Sequence, residues 1–153
     1  MNIFVNIGSN LGDRRRNLSQ AVAAIEKEFG YFELSYVVES APLGFDSPNA
    51  FLNVGMMFIS DLPPMKILRK LQAIERRLSP ASHRNADGSY ADRVIDIDII
   101  AIDEKVVDLP ELRVPHPRMP ARRFVLEPLA ELAPHWRHPL VGLTPAEFLA
   151  LLD

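Results

Sequence analysis

Residues 93–100 read Arg-Val-Ile-Asp-Ile-Asp-Ile-Ile. Isoleucine at alternate positions predicts a β-strand, whose successive side chains point to opposite faces. Ile95, Ile97 and Ile99 then face a core, and Asp96 and Asp98 share the other side with Cα atoms roughly 6.5–7 Å apart. Aspartate is depleted in strands, and two on one face repel each other unless something neutralises them. Two carboxylates on a rigid strand suit a hard cation such as Mg²⁺, which takes oxygen ligands and shares them with phosphates. Arg93, just upstream, adds an anion-binding group. The chemistry such a pattern supports is metal-dependent phosphate transfer. The plainer alternative is the solvated face of an edge strand, where charge discourages aggregation.

Other segments bear on that choice. Ala41-Pro42-Leu43-Gly44 together with Phe51-Leu52-Asn53 offers apolar walls and a side-chain amide. Gln72 and Glu75 are three residues apart on a predicted helix and so neighbours on its surface. Val114-Pro115-His116-Pro117-Arg118-Met119 precedes Arg122-Arg123-Phe124, a local basic cluster with an aromatic ring beside it. Gly8-Ser9-Asn10-Leu11-Gly12 has the look of a phosphate loop but lacks the Lys-Ser/Thr of a Walker A motif, and reads as a turn and helix cap. His135 and His138 flank Trp136 with no further ligand paired to them, which favours packing and surface roles over a metal site. Arg14-Arg15-Arg16 falls in the first turn of a predicted helix, where the dipole disfavours cations, and reads as a solvated face.

The elements that must position these groups follow from periodicity. A strand over 2–7 leads into a helix carrying Leu18, Val22, Ile25 and Phe29, which Gly30 ends. Residues 31–38 alternate as a second strand. A long loop over 39–49, with two prolines and a glycine, precedes a third strand over 51–59. Pro63-Pro64 opens a second helix with Ile67, Leu68, Leu71, Ile74 and Leu78 on its apolar stripe. Residues 79–92 form a polar loop of a length that is usually functional or disordered. After the aspartate strand, Asp103-Glu104-Lys105 predicts a turn into Val106-Val107, and 110–120 is proline-rich and irregular. A helix over 122–132 carries Phe124, Val125, Pro128 and Leu129 partly inward. Thr144-Pro145 caps a last short helix. The order strand–helix–strand–strand–helix–strand is the split βαβ, or ferredoxin-like, pattern of an α+β fold, a largely antiparallel sheet with helices packed on it and C-terminal additions.

Bulk properties narrow the field. A chain of 153 residues is most simply one domain, long enough to bury a core without staples. With 17 basic against 20 acidic side chains, no general polyanion surface is implied, so anion binding must be local. The absence of cysteine removes disulfides, thiolate zinc sites and thiol nucleophiles together. The start of the chain does not read as a signal peptide, and no segment reaches transmembrane length. A cytoplasmic protein, bound to neither nucleic acid nor membrane and needing no obligate protein partner, is the expectation.

Taken together, the motifs resemble those of the 6-hydroxymethyl-7,8-dihydropterin pyrophosphokinases (HPPK) of folate synthesis. They occur in the family's order over nearly the whole chain, from Gly8-Ser9-Asn10-Leu11 to the Phe124–Pro134 stretch Phe-Val-Leu-Glu-Pro-Leu-Ala-Glu-Leu-Ala-Pro. The resemblance implies one catalytic domain over 1–153 that moves a pyrophosphoryl group from ATP to a pterin hydroxymethyl, releasing AMP, with two Mg²⁺ ions. It implies Asp96 and Asp98 as magnesium ligands and Arg93 as a contact to the ATP phosphates. It places Gln72, Glu75, Leu112, His116 and Arg122 where the family holds nucleotide. Ser40, Leu43, Phe51, Asn53 and Phe124 fall where it holds pterin, and a flat heteroaromatic ring does want stacking surfaces and an amide at its edge. The sequence departs from the family in one run. Members commonly carry Trp-Gly-Pro-Arg before the aspartates, whereas here it is Tyr90-Ala91-Asp92-Arg93, so Tyr90 stands where tryptophan stacks. Arg84 is the only arginine in the loop before it and the candidate for the family's loop arginine.

Two rivals predict different behaviour. A ferredoxin-like RNA-binding module would need exposed sheet aromatics and a basic surface. A degenerate pseudoenzyme would bind nucleotide without turnover.

Overall fold

Strand β1 (Asn2–Ser9) is the middle of the protein. It pairs antiparallel with β4 (Phe51–Ile59) on one side and with β5 (Asp96–Ile102) on the other. Strands β2 (Phe32–Leu34) and β3 (Val38–Ser40) both pair antiparallel with β4, completing a five-stranded sheet of order β2–β4–β1–β5. Helix α1 (Arg14–Phe29) follows β1 and helix α2 (Pro64–Leu78) follows β4. This is the predicted split βαβ arrangement. A small ribbon of β6 (Val107–Asp108) and β7 (Arg113–Val114) then leads to α3 (Arg123–Leu132) and α4 (Pro145–Leu152). The computed structural model describes residues 1–41, 49–79 and 93–153. Leu43, Arg84, Tyr90 and the loop after Ser79 lie outside the described residues.

Strand alternation sorts the side chains into two layers. Ile3, Val5 and Ile7 of β1, with Leu52, Val54, Met56 and Phe58 of β4 and Ile97 and Ile99 of β5, face one way. Leu18, Ala21 and Ile25 of α1 and Ile67, Leu71 and Ile74 of α2 cover them, and Phe29 stacks on Phe58 with ring centroids 4.3 Å apart. On the opposite face Phe4, Met57 and Ala101 meet Val125, Leu126 and Leu129 of α3 and Phe148 of α4. That second face is apolar only at one end. At the other it carries Phe51, Asn53, Asn6, Gly8, Asp96 and Asp98, and there it opens to a cavity.

Local chemistry sets the element ends. Asp13 caps α1, its side chain accepting from the Arg16 amide, so Gly8 and Ser9 belong to the strand and the turn begins after them. Thr144 and Glu147 form a reciprocal capping box at α4. The predicted second strand is divided. Leu34 lies opposite Met56 but Val38 lies opposite Asn53, so one extra residue is accommodated between them. Ser35 takes up the slack: its hydroxyl accepts from the Gly55 amide at 2.8 Å and donates to the Tyr36 carbonyl at 2.8 Å. Trp136 and His138 are buried, His138 edge-on to both Trp136 and Phe148, the packing role the sequence suggested. Arg15 and Arg16 are exposed as expected, while Arg14 donates to the Ala50 carbonyl at 2.8 Å. Among the described residues no helix is long and apolar enough to cross a membrane.

Candidate active site

Register places the polar groups in two rows across the sheet. Gly8 sits between Asn53 on β4 and Asp96 on β5; Asn6 sits between Gly55 and Asp98. Gly8 makes the first row possible, since a Cβ there would lie 3.1 Å from Asn53 Oδ1 and 3.3 Å from the Phe51 ring. The missing side chain leaves the floor of the cavity open between amide and carboxylate. Above this floor stand Phe124 at the start of α3 and the segment His116–Arg118 with Arg122. The cavity holds about 390 Å³, within the range of small-molecule sites.

One end is built for a flat polar ring. Asn53 is 2% exposed, and its Nδ2 donates to Ser40 Oγ at 2.7 Å and to the Val38 carbonyl at 3.3 Å, so its orientation is set by β3. Phe51 and Phe124 line the same space. The Arg122 guanidinium carbon lies 5.6 Å from the centre of the Phe124 ring, close enough for a cation–π contact.

The other end is built for charge. Arg93 Nη1 is 2.7 Å from Asp96 Oδ1, both side chains largely buried. Burial first, then the neighbouring Asp96 and Glu75, push the Asp98 carboxyl well above the usual carboxylate range. Burial likewise raises Glu75 to about 7, although the Ile97 amide donates to its Oε2 at 2.8 Å. His116 moves the other way. Burial, helped by Arg122 and Arg118, lowers it to about 4, so the ring is neutral at pH 7. Its Nδ1 accepts from the Arg118 amide at 3.1 Å, which leaves the proton on Nε2.

Crowded carboxylates of this kind are stabilised by a cation. Among the described residues no group of three or more His, Cys, Asp or Glu side chains converges, so the donor set is the aspartate pair. Two carboxylates with space beside them fit Mg²⁺, which prefers to complete its shell with water and phosphate oxygens rather than a protein cage.

The structure gathers Ser40, Phe51, Asn53, Arg93, Asp96, Asp98, His116, Arg122 and Phe124 around one cavity. Three expected residues do not line it. Gln72 is exposed on α2. Glu75 reaches the outer edge of β5, where its carboxyl satisfies the Ile97 amide, which pairs with no further strand among the described residues. Leu112 is buried in the core under α1 and α2, held by paired bonds with Leu109 in the turn between β6 and β7.

A family model described as 7,8-dihydro-6-hydroxymethylpterin-pyrophosphokinase (HPPK) matches residues 4–134. The chain belongs to this family. It is 44% identical over 140 residues to the 2-amino-4-hydroxy-6-hydroxymethyldihydropteridine pyrophosphokinase of Porphyromonas gingivalis, covering 90% of this chain and 93% of that protein. It is 38% identical over 139 residues to the protein of the same name from Pseudomonas aeruginosa, covering 90% and 83%. A crystal structure titled as HPPK-DHPS in complex with substrates superposes on 98% of the chain with a TM-score of 0.72 at 15% identity, a likeness of fold. The present chain spans 43% of that longer one.

Sequence reasoning missed two residues that line the cavity, Asn6 and Gly8. For Asn6 a signal existed: asparagine is depleted in strands, yet it interrupts Asn-Ile-Phe-Val-Asn-Ile in mid-strand. Gly8 was read as part of a turn, and only the register reveals that it faces the site.

Proposed function

We propose that this chain transfers the pyrophosphoryl group of ATP to the hydroxymethyl oxygen of 6-hydroxymethyl-7,8-dihydropterin, giving AMP and the pterin pyrophosphate, in folate synthesis. The observation that carries the reading is the single cavity joining an aromatic, amide-edged end to a carboxylate and arginine end. A pterin needs the first, and the phosphates of a nucleotide need the second. Family membership and the names of the relatives point to the same reaction.

In this reading Phe51 and Phe124 hold the ring between them, and Asn53 with Ser40 addresses its polar edge. Arg93 and Arg122 neutralise phosphate charge, the role a planar guanidinium performs best. His116, neutral and carrying its proton on Nε2, is a donor to a phosphate or ribose oxygen without adding charge. Asp96 and Asp98 would hold Mg²⁺, two ions in the complete complex, which supplies charge neutralisation and polarisation of the reacting oxygens. The hydroxyl oxygen forms its bond to the β-phosphorus as the bond from that phosphorus to the α–β bridging oxygen breaks, and AMP leaves with the bridging oxygen. The chain's share is alignment and charge placement, which is most of phosphoryl-transfer catalysis. Leu43, Tyr90 and Arg84 complete the pterin and phosphate contacts in this reading, Gln72, Glu75 and Leu112 border the nucleotide, and the enzyme works in the cytoplasm as one domain with no obligate protein partner.

The test is mass analysis of the pterin after incubation with ATP and Mg²⁺. A product heavier by two phosphoryl units supports the proposal. A gain of one, or none, overturns it.

A further inference from the structure

Residues His116 to Met119 form a β-turn, closed by the Met119 amide donating to the His116 carbonyl at 3.1 Å. Pro117 takes the first corner, where its fixed φ belongs, and Arg118 the second, with φ −98° and ψ −3°. The backbone of this corner is pinned on both sides. The Arg118 amide donates to His116 Nδ1 at 3.1 Å, the Arg118 carbonyl accepts from the Ala121 amide at 3.3 Å, and Met119 beyond it is fully buried. The side chain of Arg118 is the opposite case. It is exposed, and among the described residues no hydrogen bond or ion pair holds its guanidinium.

An exposed, unpaired arginine is ordinarily just solvated. This one lines the cavity, next to the charged end. After burial, the charges of Arg122 and Arg118 are what lower His116, and Asp96 acts on the same ring with the opposite sign. Arg93, Arg118 and Arg122 thus bring three guanidinium groups to one cavity of a chain whose net charge is −3. Like charges gathered this way repel unless an anion joins them. Arg93 has Asp96 at 2.7 Å, whereas Arg118 has no such partner among the described residues. A dihydropterin ring brings no charge to meet it. A triphosphate does, and its oxygens suit the paired N–H groups of a guanidinium.

We infer that Arg118 is a nucleotide-binding residue, its guanidinium donating to phosphate oxygens of ATP beside His116. The inference deepens the pyrophosphoryl-transfer reading above and rests on it.

The test measures dissociation constants of α,β-methylene ATP with Mg²⁺, and of the dihydropterin with that nucleotide saturating, for wild type, Arg118→Gln and Arg118→Lys. Glutamine keeps much of the stem and removes the charge; lysine keeps the charge and loses the fork. Arg118→Gln is expected to weaken the nucleotide analogue roughly three- to tenfold, between an exposed ion pair and a charge-assisted bond in a closed site. Arg118→Lys should recover part of that loss. The gap between wild type and Arg118→Gln should narrow as salt is raised, because a solvent-facing charge is screened. Pterin affinity should be unchanged. Equal nucleotide affinity in wild type and Arg118→Gln would overturn the inference, as would a loss that salt leaves untouched or one that falls equally on the pterin. Wild type that binds no nucleotide analogue at all would overturn the functional reading and this inference with it, a result distinct from a variant that merely matches wild type.

Discussion

Asn10 and Arg93 hold each other by two hydrogen bonds across the ends of two separated segments. The Arg93 amide donates to Asn10 Oδ1 at 2.7 Å, and the Asn10 amide donates to the Arg93 carbonyl at 3.1 Å. Asn10 is 1% exposed, and its Nδ2 also donates to the Asn49 carbonyl at 3.3 Å, two residues before Phe51. One buried side chain therefore ties the arginine of the charged end to the strand that carries Phe51 and Asn53.

Asn10→Ala should cost about 2 kcal/mol of stability, on the scale of stranding buried backbone groups. Asn10→Asp keeps the acceptor for Arg93 but buries a carboxylate and sets its second oxygen against the Asn49 carbonyl, so it should cost at least as much. Urea unfolding checks both, and equal stability of wild type and Asn10→Ala would show that the clamp does not matter.

Removing either aspartate should lower turnover by about 100-fold or more at saturating Mg²⁺, since phosphate charge is then no longer bridged to the strand. Their effects on the metal-free fold should differ. Asp96 is paired with Arg93, whereas Asp98 stands among like charges. Asp98→Ala should therefore raise the melting temperature in chelator at pH 8, and Asp96→Ala should lower it. Near-normal turnover in either variant would remove the metal assignment.

The pH dependence follows from Glu75. Its folded value of about 7 lies above its ordinary 4.5, so between these values the folded state holds a proton that the unfolded state has lost. Stability from this group is full below pH 4.5 and is lost as pH rises through 7. Glu75→Gln keeps an acceptor for the Ile97 amide and removes the titration. Its stability relative to wild type should be higher at pH 8 than at pH 4.5 by roughly 1–3 kcal/mol. Denaturant titrations at the two pH values check this. His116, lowered to about 4, works in the opposite sense and withdraws stability as pH falls below 6.5.

Gly55 lies against α3: a Cβ there would come within 2.6 Å of Pro128 Cβ, an atom of a rigid ring in a buried helix. Gly55→Ala should push α3 off the sheet, costing about 1–3 kcal/mol as overpacking does. Because Phe124 rides on α3, pterin affinity should weaken along with stability. A melt and a pterin titration of this variant test the coupling.

Much of this was legible because it is local. The aspartate strand is announced by its alternation, α2 by its apolar stripe, and α4 by Thr144 and Glu147. What escaped depends on partners distant in sequence. The division of the second strand is decided by Ser35 meeting Gly55 across the sheet. Asn6 becomes a site residue only through the register that sets it beside Asp98, and Gly8 through its closeness to Asn53. Glu75 was read as a nucleotide contact from its family position, and the bond to Ile97 that gives it a structural task is invisible without the edge of β5.

The central claim is that two phosphoryl units move together, and the nucleotide product tests it most directly. Incubation with ATP, Mg²⁺ and 6-hydroxymethyl-7,8-dihydropterin should release AMP in a one-to-one ratio with pterin consumed, and chelation of the metal should stop it. ADP as the main product, or ATP consumption indifferent to the pterin, would contradict the account.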